Sequence, residues 1–409
     1  MESLPEIEYK PIPVKELLME MKNLSELMVN LAYYSILYHE EELAKEVFRL
    51  ESRVDYLELL LTMQAALATR SIDDAEKIAS IYKLASASNK ISDAAADIAK
   101  ITLSKIHIPS VATMNVYDSN EIVSYLTIPE RSPLEGYTLK NLFDKYDIIF
   151  DVLTVRRGNK WIFKIDKDFV IRGKDFLIVR GPIDNISYIR NILGMPPISA
   201  EMEKYEEKYR PIIEQLTQFK NTSQFMVDLA YTSLLTRSYD IAEKVVELED
   251  YIDRMLDNFE EAILKYEDLS VKERAGFLRV AIASEEISDA AAELSEILLR
   301  GIEPHPLITD ILEESDERIS VIEMDETDEG KTLVELGYAR KGVIVLAVRR
   351  GDEWHIMPPY TAFKVKNGDI LLVKYYSESE EFIEKLEKEE DREEMIEEIQ
   401  EEEWEEEEE

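Results

Sequence analysis

The stretch Ile91-Ser92-Asp93-Ala94-Ala95-Ala96 recurs unbroken as Ile287-Ser288-Asp289-Ala290-Ala291-Ala292. Working outward, residues 25–55 align with 223–253 at a constant offset of 198, with Ser25, Met28, Val29, Leu31, Ala32, Tyr33, Ser35, Leu37, Ala44, Val47, Leu50, Glu51 and Asp55 all recurring. Gly136-Tyr137-Thr138-Leu139 pairs with Gly330-Lys331-Thr332-Leu333. Val155-Arg156-Arg157-Gly158 pairs with Val348-Arg349-Arg350-Gly351, and Trp161 and Trp354 follow each Gly at the same spacing. The chain therefore reads as one two-part unit written twice, A-B-A′-B′, followed by a tail. A period near 195 residues is too long for a solenoid and points to duplication of a two-domain unit.

The A parts are almost free of Gly and rich in Leu, Ala, Glu and Lys, a helical composition. In A′, Val245, Leu248, Ile252, Met255, Phe259 and Ile263 step by three and four, an amphipathic stripe. Three helices are expected in each unit, near 14–38, 40–68 and 72–105, then 200–236, 239–266 and 271–300. Ser71 and Ser270 stand where a new helix needs a cap. Such helices pack as antiparallel bundles. The Ala triplets allow a close neighbouring helix, from the other repeat or from a second chain in a homodimer.

The B parts read as compact α+β domains. Strands are expected at Ile122–Thr127, Ile148–Val155, Trp161–Ile165 and Phe176–Val179, and again at Ile319–Ile322, Val343–Val348, Trp354–Met357 and Ile370–Val373. Short helices are expected after Thr138, Asp184 and Ser379. The expected boundaries are 1–108 and 198–303 for the bundles and 109–197 and 304–388 for the α+β domains. The last segment, 389–409, holds fifteen acidic residues and one Arg, and reads as a disordered acidic tail.

Composition excludes several functions. The chain of 409 residues has a net charge of −39, of which −25 lies outside that tail. Such a surface repels nucleic acid and anionic lipid heads. No Cys is present, so disulfides, thiolate metal sites and Cys nucleophiles are out. All 12 Gly lie at or after Gly136, and neither G-x-G-x-x-G nor G-x-x-x-x-G-K-[ST] occurs. Dinucleotide and P-loop sites need those glycines, so no NAD is expected. No apolar run is long enough to span a bilayer, and Met1 to Glu8 lack the basic start and apolar stretch of a signal peptide, so the expected location is the cytoplasm, without direct membrane insertion.

Two family resemblances follow from these residues. Ser132-Pro-Leu-Glu-Gly-Tyr-Thr-Leu, Val348-Arg-Arg-Gly-Asp-Glu-Trp and Lys366-Asn-Gly-Asp-Ile-Leu-Leu-Val resemble the TrkA-C domain, the C-terminal half of regulator-of-potassium-conductance (RCK) modules. B is the weaker copy, since Gly173-Lys174-Asp175 carries one extra residue. The A parts resemble the helical PhoU family, whose Glu-x-x-x-Asp motifs on neighbouring helices hold metal clusters in some members. Glu249-Asp-Tyr-Ile-Asp253 and Glu285-Glu-Ile-Ser-Asp289 fit it, as does Glu51-Ser-Arg-Val-Asp55; at Asp93 the motif departs, with Asn89 where Glu is expected. The resemblances imply a multidomain α and α+β chain, two PhoU-like antiparallel helical bundles alternating with two small TrkA-C-like α+β domains.

Residues four apart on a helix share a face, so two such pairs on adjacent helices present four carboxylates to one divalent cation. The candidate metal ligands are Glu249, Asp253, Glu285 and Asp289, with Glu51, Asp55 and Asp93 as a weaker first site. A solvated acidic face is the competing reading. Arg156-Arg157 and Arg349-Arg350 are basic pairs in an acidic chain, either a solubilising hairpin end or a site for a small anionic ligand. In regulators related by the TrkA-C resemblance, paired interfaces are pseudo-symmetric and some bind cyclic dinucleotides. His107 and His305 coincide at the repeat offset and read as junction contacts. No Ser/His/Asp elbow and no H-E-x-x-H appears.

Three functions compete. The first is a regulatory, ligand-sensing protein tied to potassium or other cation transport, whose membrane transporter or channel is a separate polypeptide. The second is a PhoU-like metal-binding regulator of phosphate uptake. The third, an enzyme with a carboxylate-bound metal, has no residue that singles it out, and a non-enzymatic role is expected.

Overall fold

In the computed structural model the described residues are 11–106, 121–158, 160–198, 209–351, 353–356 and 363–386. The tail 389–409 and His107 lie outside them. Two compact units form: residues 1–111 with 205–315, and residues 112–204 with 316–409. Like thus groups with like across the repeats.

The first unit is helical: α1 (Val14–Tyr38), α2 (Glu41–Ala68) and α3 (Ile72–Leu103), then α6 (Arg210–Thr236), α7 (Tyr239–Leu264), α8 (Val271–Leu299) and the short α9 (Pro306–Glu314). The long helices fall where the apolar periodicity places them, except that 200–208 of the one expected at 200–236 lie outside the described residues and the helix begins at Arg210. Ser71 accepts a hydrogen bond from the Asp74 amide, and Ser270 forms a full capping box with Glu273, which satisfies amides that the first turn leaves unpaired. At the other end, α1 and α6 both stop on a left-handed residue, His39 and Arg237. Each bundle packs its three helices together, and α3 lies against α8. The neighbour of the Ala triplets is therefore the other repeat: Ala94, Ala95, Ala290, Ala291, Ser92 and Ser288 are all buried, and such small side chains let the helix backbones approach.

A pseudo-symmetric pair of contacts ties the bundles together. The Lys22 ammonium lies over the Tyr231 ring at 5.0 Å, and Lys220 lies over Tyr33 at 5.5 Å. Both lysines are buried, where a cation on an aromatic face contributes about 2 kcal/mol. The Tyr33 hydroxyl also meets the Ser284 hydroxyl at 2.7 Å.

The second unit holds two antiparallel sheets with the same strand order, β1-β4-β2-β3 and β5-β8-β6-β7. Their strands are β1 (Glu121–Thr127), β2 (Asp151–Arg157), β3 (Lys160–Ile162) and β4 (Phe176–Pro182), then β5 (Glu317–Glu323), β6 (Val343–Arg350), β7 (Glu353–His355) and β8 (Ile370–Tyr376). β2 and β6 each break register once, between Val152 and Thr154 and between Val345 and Ala347. Helices α4 (Leu139–Tyr146), capped by Thr138, α5 (Ile183–Ile192) and α10 (Glu380–Leu386) cover them. Each repeat has its own apolar core, around Phe150, Val155, Leu177 and Ile186 in one and Leu336, Val348, Leu371 and Ile383 in the other.

The extra residue expected at Gly173-Lys174-Asp175 is not there: Arg172-Gly173-Lys174-Asp175 matches Lys366-Asn367-Gly368-Asp369 residue for residue, with the Gly one place earlier. Lys174 adopts φ +70, the left-handed conformation that Gly368 takes at φ +81 in the second repeat. The Asp that follows, Asp175 or Asp369, keeps its register.

Among the described residues no helix is long and apolar enough to cross a membrane.

Candidate metal centre

Helices α7 and α8 carry the second pair of motifs on one side of their bundle. Ile252, Ile287, Ala291 and Leu294 are buried, which turns Glu249, Asp253, Glu285 and Asp289 outward together. Glu249, Asp253 and Asp289 each offer a carboxylate oxygen, and these three oxygens lie within 4.8 Å of one another. A divalent cation takes oxygen ligands at roughly 2.0–2.6 Å, so oxygens up to about 5 Å apart can share one ion without rearrangement. Glu285 stands outside this triad and shares a hydrogen bond with Asp289.

The carboxyls of this face raise one another's affinity for protons. Burial, then Asp289 and Asp253, push the Glu285 carboxyl up to about 7. Burial followed by Asp253 and Asp289 raises Glu249, and burial followed by Asp253 raises Asp289 against the opposing charge of Lys90. Ionising all four together is costly, and a bound cation would remove that cost while releasing the shared proton. The expected set of four thus resolves into three converging oxygens and Glu285, hydrogen-bonded to Asp289 beside them.

Two lysines from the first repeat border this face. Lys90 on α3 pairs with Glu293, and Lys83 reaches it at 3.6 Å. Burial opposes ionisation of Glu293, yet these two cations outweigh it and hold its carboxyl below the usual range.

The first face is arranged differently. Glu51 and Asp55 on α2 and Asp93 on α3 are neighbours, but among the described residues no triad of oxygens as close as the second one forms there. Burial raises Asp55; burial, then Asp55, Asp93 and Asp97, raises Glu51; and burial, then Asp55 and Asp97, raises Asp93. Three carboxylates that sequence reasoning passed over join this face: Glu58, Asp97 and Glu286. Glu58 lies about a turn beyond Asp55 and Asp97 a turn beyond Asp93, so the helical period contained that signal. Glu286 comes from the other repeat, and only the packing of α3 on α8 reveals it.

The arginine pairs divide between the two faces of their strands. Arg157 grips Asp175 with both branches, at 2.8 and 2.7 Å, and Arg350 grips Asp369 at the same two distances. Each also donates to a carbonyl, Val170 or Lys364. Asp175 and Asp369 are buried, so these are structural clasps, and they occupy the forks that an anionic ligand would need. Arg156 and Arg349 lie on the opposite face, stacked over Trp161 at 5.4 Å and Trp354 at 5.6 Å. His305 caps α9, its Nδ1 accepting from the Leu307 amide at 3.1 Å.

Comparison with known proteins identifies the domains that carry these faces. The PhoU domain model matches residues 18–102 and 216–298, and the TrkA-C domain model matches residues 123–194. The chain carries PhoU and TrkA-C domains. The two PhoU matches contain both carboxylate faces. The TrkA-C match falls on the first α+β repeat, which corrects the expectation that this copy is the weaker; the second repeat shares its strand order. Among solved structures, PhoU from Pseudomonas aeruginosa is 15% identical and covers 70% of this chain and 96% of its own, with a TM-score of 0.39. The phosphate transport system regulatory protein PhoU from Streptococcus pneumoniae is 12% identical over 71% of this chain and 96% of its own, at 0.38. The RCK domain of GsuK is 12% identical over 66% and 64%, at 0.18. These structural likenesses are weak, and the domain assignment rests on the sequence models. No curated protein matches the chain.

Proposed function

We propose that the chain is a non-enzymatic cytoplasmic regulator of ion transport, potassium or other cations foremost, acting on a transporter or channel that is a separate polypeptide. In this reading the second PhoU face holds a divalent cation and the TrkA-C-type repeats sense a small ligand. The supporting observation is the convergence of Glu249, Asp253 and Asp289, with Glu285 held partly protonated beside them. Bound there, the ion would supply positive charge that cross-links α7 and α8. The chain's own residues set its strength: Glu285 competes by holding a proton against Asp289, and Lys90 limits the local negative charge.

The ligand role falls to Arg156 and Arg349, since Arg157 and Arg350 are engaged by Asp175 and Asp369. Stacking over Trp161 and Trp354 orients the two guanidinium planes, and a planar guanidinium is the group that matches a phosphate. Thermal-shift measurements with cyclic dinucleotides and nucleoside phosphates, on wild type and on Arg156→Ala/Arg349→Ala, test this. A shift with the wild type alone supports it; no shift with any anionic ligand removes the sensing role.

A second reading, regulation of phosphate uptake, is favoured by the two PhoU matches. Deleting the gene and measuring potassium-analogue and phosphate uptake side by side separates the two. A change in phosphate uptake alone would replace the first reading by the second.

A further inference from the structure

Charge is divided unevenly along this chain. Residues 121–198 hold twelve Lys or Arg against ten Asp or Glu, a net of +2. Residues 1–120, 199–315 and 316–388 carry −7, −15 and −5, and 389–409 carry −14. The first α+β repeat is thus the one net-positive part of an acidic chain. Within it the excess falls on the β2–β3 hairpin. From Val152 to Ile165 there are four cations, Arg156, Arg157, Lys160 and Lys164, and no carboxylate. The matching stretch of the second repeat, 345–358, sets Asp352 and Glu353 against Arg349 and Arg350, with Glu353 at the position of Lys160.

The structure shows how these cations stand. Arg157 is clasped by Asp175 and adds no net charge. Lys160 lies on β3, the edge strand of its sheet, and Lys164 follows that strand. Both are exposed, and among the described residues neither is in an ion pair. Trp161 stands between them, half-buried, with the Arg156 guanidinium over its ring and Phe176 against its edge at 6.3 Å. Around the hairpin the charges balance: Asp166 and Asp168 share a turn with Lys167, Lys140 lies 3.9 Å from Asp144, and Lys174 pairs with Glu130. The hairpin therefore offers a strip of positive charge with an aromatic ring in its middle.

We propose that this strip is the docking surface of the chain's own acidic segment 389–409. That segment carries fifteen acidic residues, and Met395, Ile396, Ile399 and Trp404 interrupt them with apolar side chains that suit the Trp161 ring. It lies outside the described residues and follows α10, in the same compact unit as the hairpin. The start of α10 is already beside the first repeat: Ser379 donates to the Lys341 carbonyl at 2.6 Å, and Lys341 pairs with Asp147. From there β2 runs from Asp151 to Arg157, about 20 Å. Residues 387–409 can span up to about 75 Å, so the reach is ample. A tether in one chain also presents the segment at an effective concentration on the order of millimolar. The other parts of the chain repel it, and in the second repeat Glu353 breaks the strip. The docking is independent of the metal and ligand readings, because the chain supplies the anion itself.

The chain has no Cys, so a full-length Gln400→Cys protein takes a single nitroxide label. Its paramagnetic broadening of amide signals is expected to concentrate on residues 156–165. It should disappear in about 1 M salt, where the screening length is about 3 Å, and in Lys160→Glu/Lys164→Glu, which gives the hairpin the sign of the second repeat. Broadening centred on the second repeat or on the helical unit would overturn the docking, as would no localised broadening, the result expected if the lysines only guard an edge strand. Isotope-labelled wild type mixed with nitroxide-labelled protein should show none; broadening there would give the segment to a second copy and overturn docking within one chain. Carbodiimide cross-linking of unmodified wild type gives an answer even if the variants misfold. Peptides joining Lys160 or Lys164 to 389–409 support the docking, and cross-links from that segment only to other lysines reject it.

Discussion

The two PhoU faces descend from one sequence, carry Glu-x-x-x-Asp at the same place on their middle helices, and treat charge in opposite ways. On the second, Glu249, Asp253 and Asp289 converge to within 4.8 Å, and Lys90 with Lys83 draws Glu293 aside. On the first, among the described residues Glu51, Asp55, Glu58, Asp93 and Asp97 form no such triad, and Glu286, which also repels Glu285 and Asp289 on the second face, adds another negative charge. Lys90 and Glu286 are the same position in the two repeats, so one exchange of sign across the α3–α8 contact separates the faces. The comparison teaches that counting motif carboxylates is a poor guide to a cation site. What matters is how many oxygens meet and which opposite charges border them.

The largest expected effect is on cation affinity. Asp253→Ala/Asp289→Ala should weaken divalent-ion binding by more than about 100-fold in isothermal titration, because even outer partners of a metal site cost 10–100-fold when lost. Asp55→Ala/Asp93→Ala should leave the strong site intact, and equal losses in both variants would erase the distinction between the faces.

Next comes pH. Glu249, Glu285, Asp289, Glu51, Glu58 and Asp93 all have folded-state values raised above those of an unfolded chain. The folded protein therefore binds more protons, and its stability falls as pH rises through the raised values. Metal-free protein should melt higher at pH 6 than at pH 8, by about 2–4 °C per kcal/mol for a unit of this size. Glu285→Gln should melt higher than wild type at pH 8 and depend less on pH. A rise in melting temperature with pH would break the account of both faces.

Exchanging the sign at the equivalent positions is a smaller test. Glu286→Lys should stabilise the metal-free protein by up to about 1 kcal/mol by bringing a cation to the first face, and Lys90→Glu should destabilise it by a similar amount. The smallest effect lies in the TrkA-C repeats. Lys174→Gly relieves a left-handed residue where the second repeat already uses Gly368, and should add about 0.5 kcal/mol in denaturant unfolding.

Much of this fold was legible in the residues. Apolar steps of three and four, capped by Ser71 and Ser270, placed the long helices, and β-rich runs around Arg157-Gly158 and Arg350-Gly351 placed the hairpins. The partnership of α3 with α8 was not legible, because a tandem repeat looks the same whichever copies pack together. Lys90, Lys83 and Glu286 were invisible as site neighbours for that reason. The clasp of Arg157 on Asp175 had a signal that was read differently: an Arg before a hairpin Gly and an Asp before a β-strand recur together in both repeats, as a structural ion pair requires.

The most direct test is anomalous diffraction from crystals grown with manganese. One ordered ion bound by Glu249, Asp253 and Asp289, at higher occupancy than anything on the first face, is the predicted result. An ion held only by Glu51, Asp55 and Asp93, or equal occupancy on both faces, would contradict it.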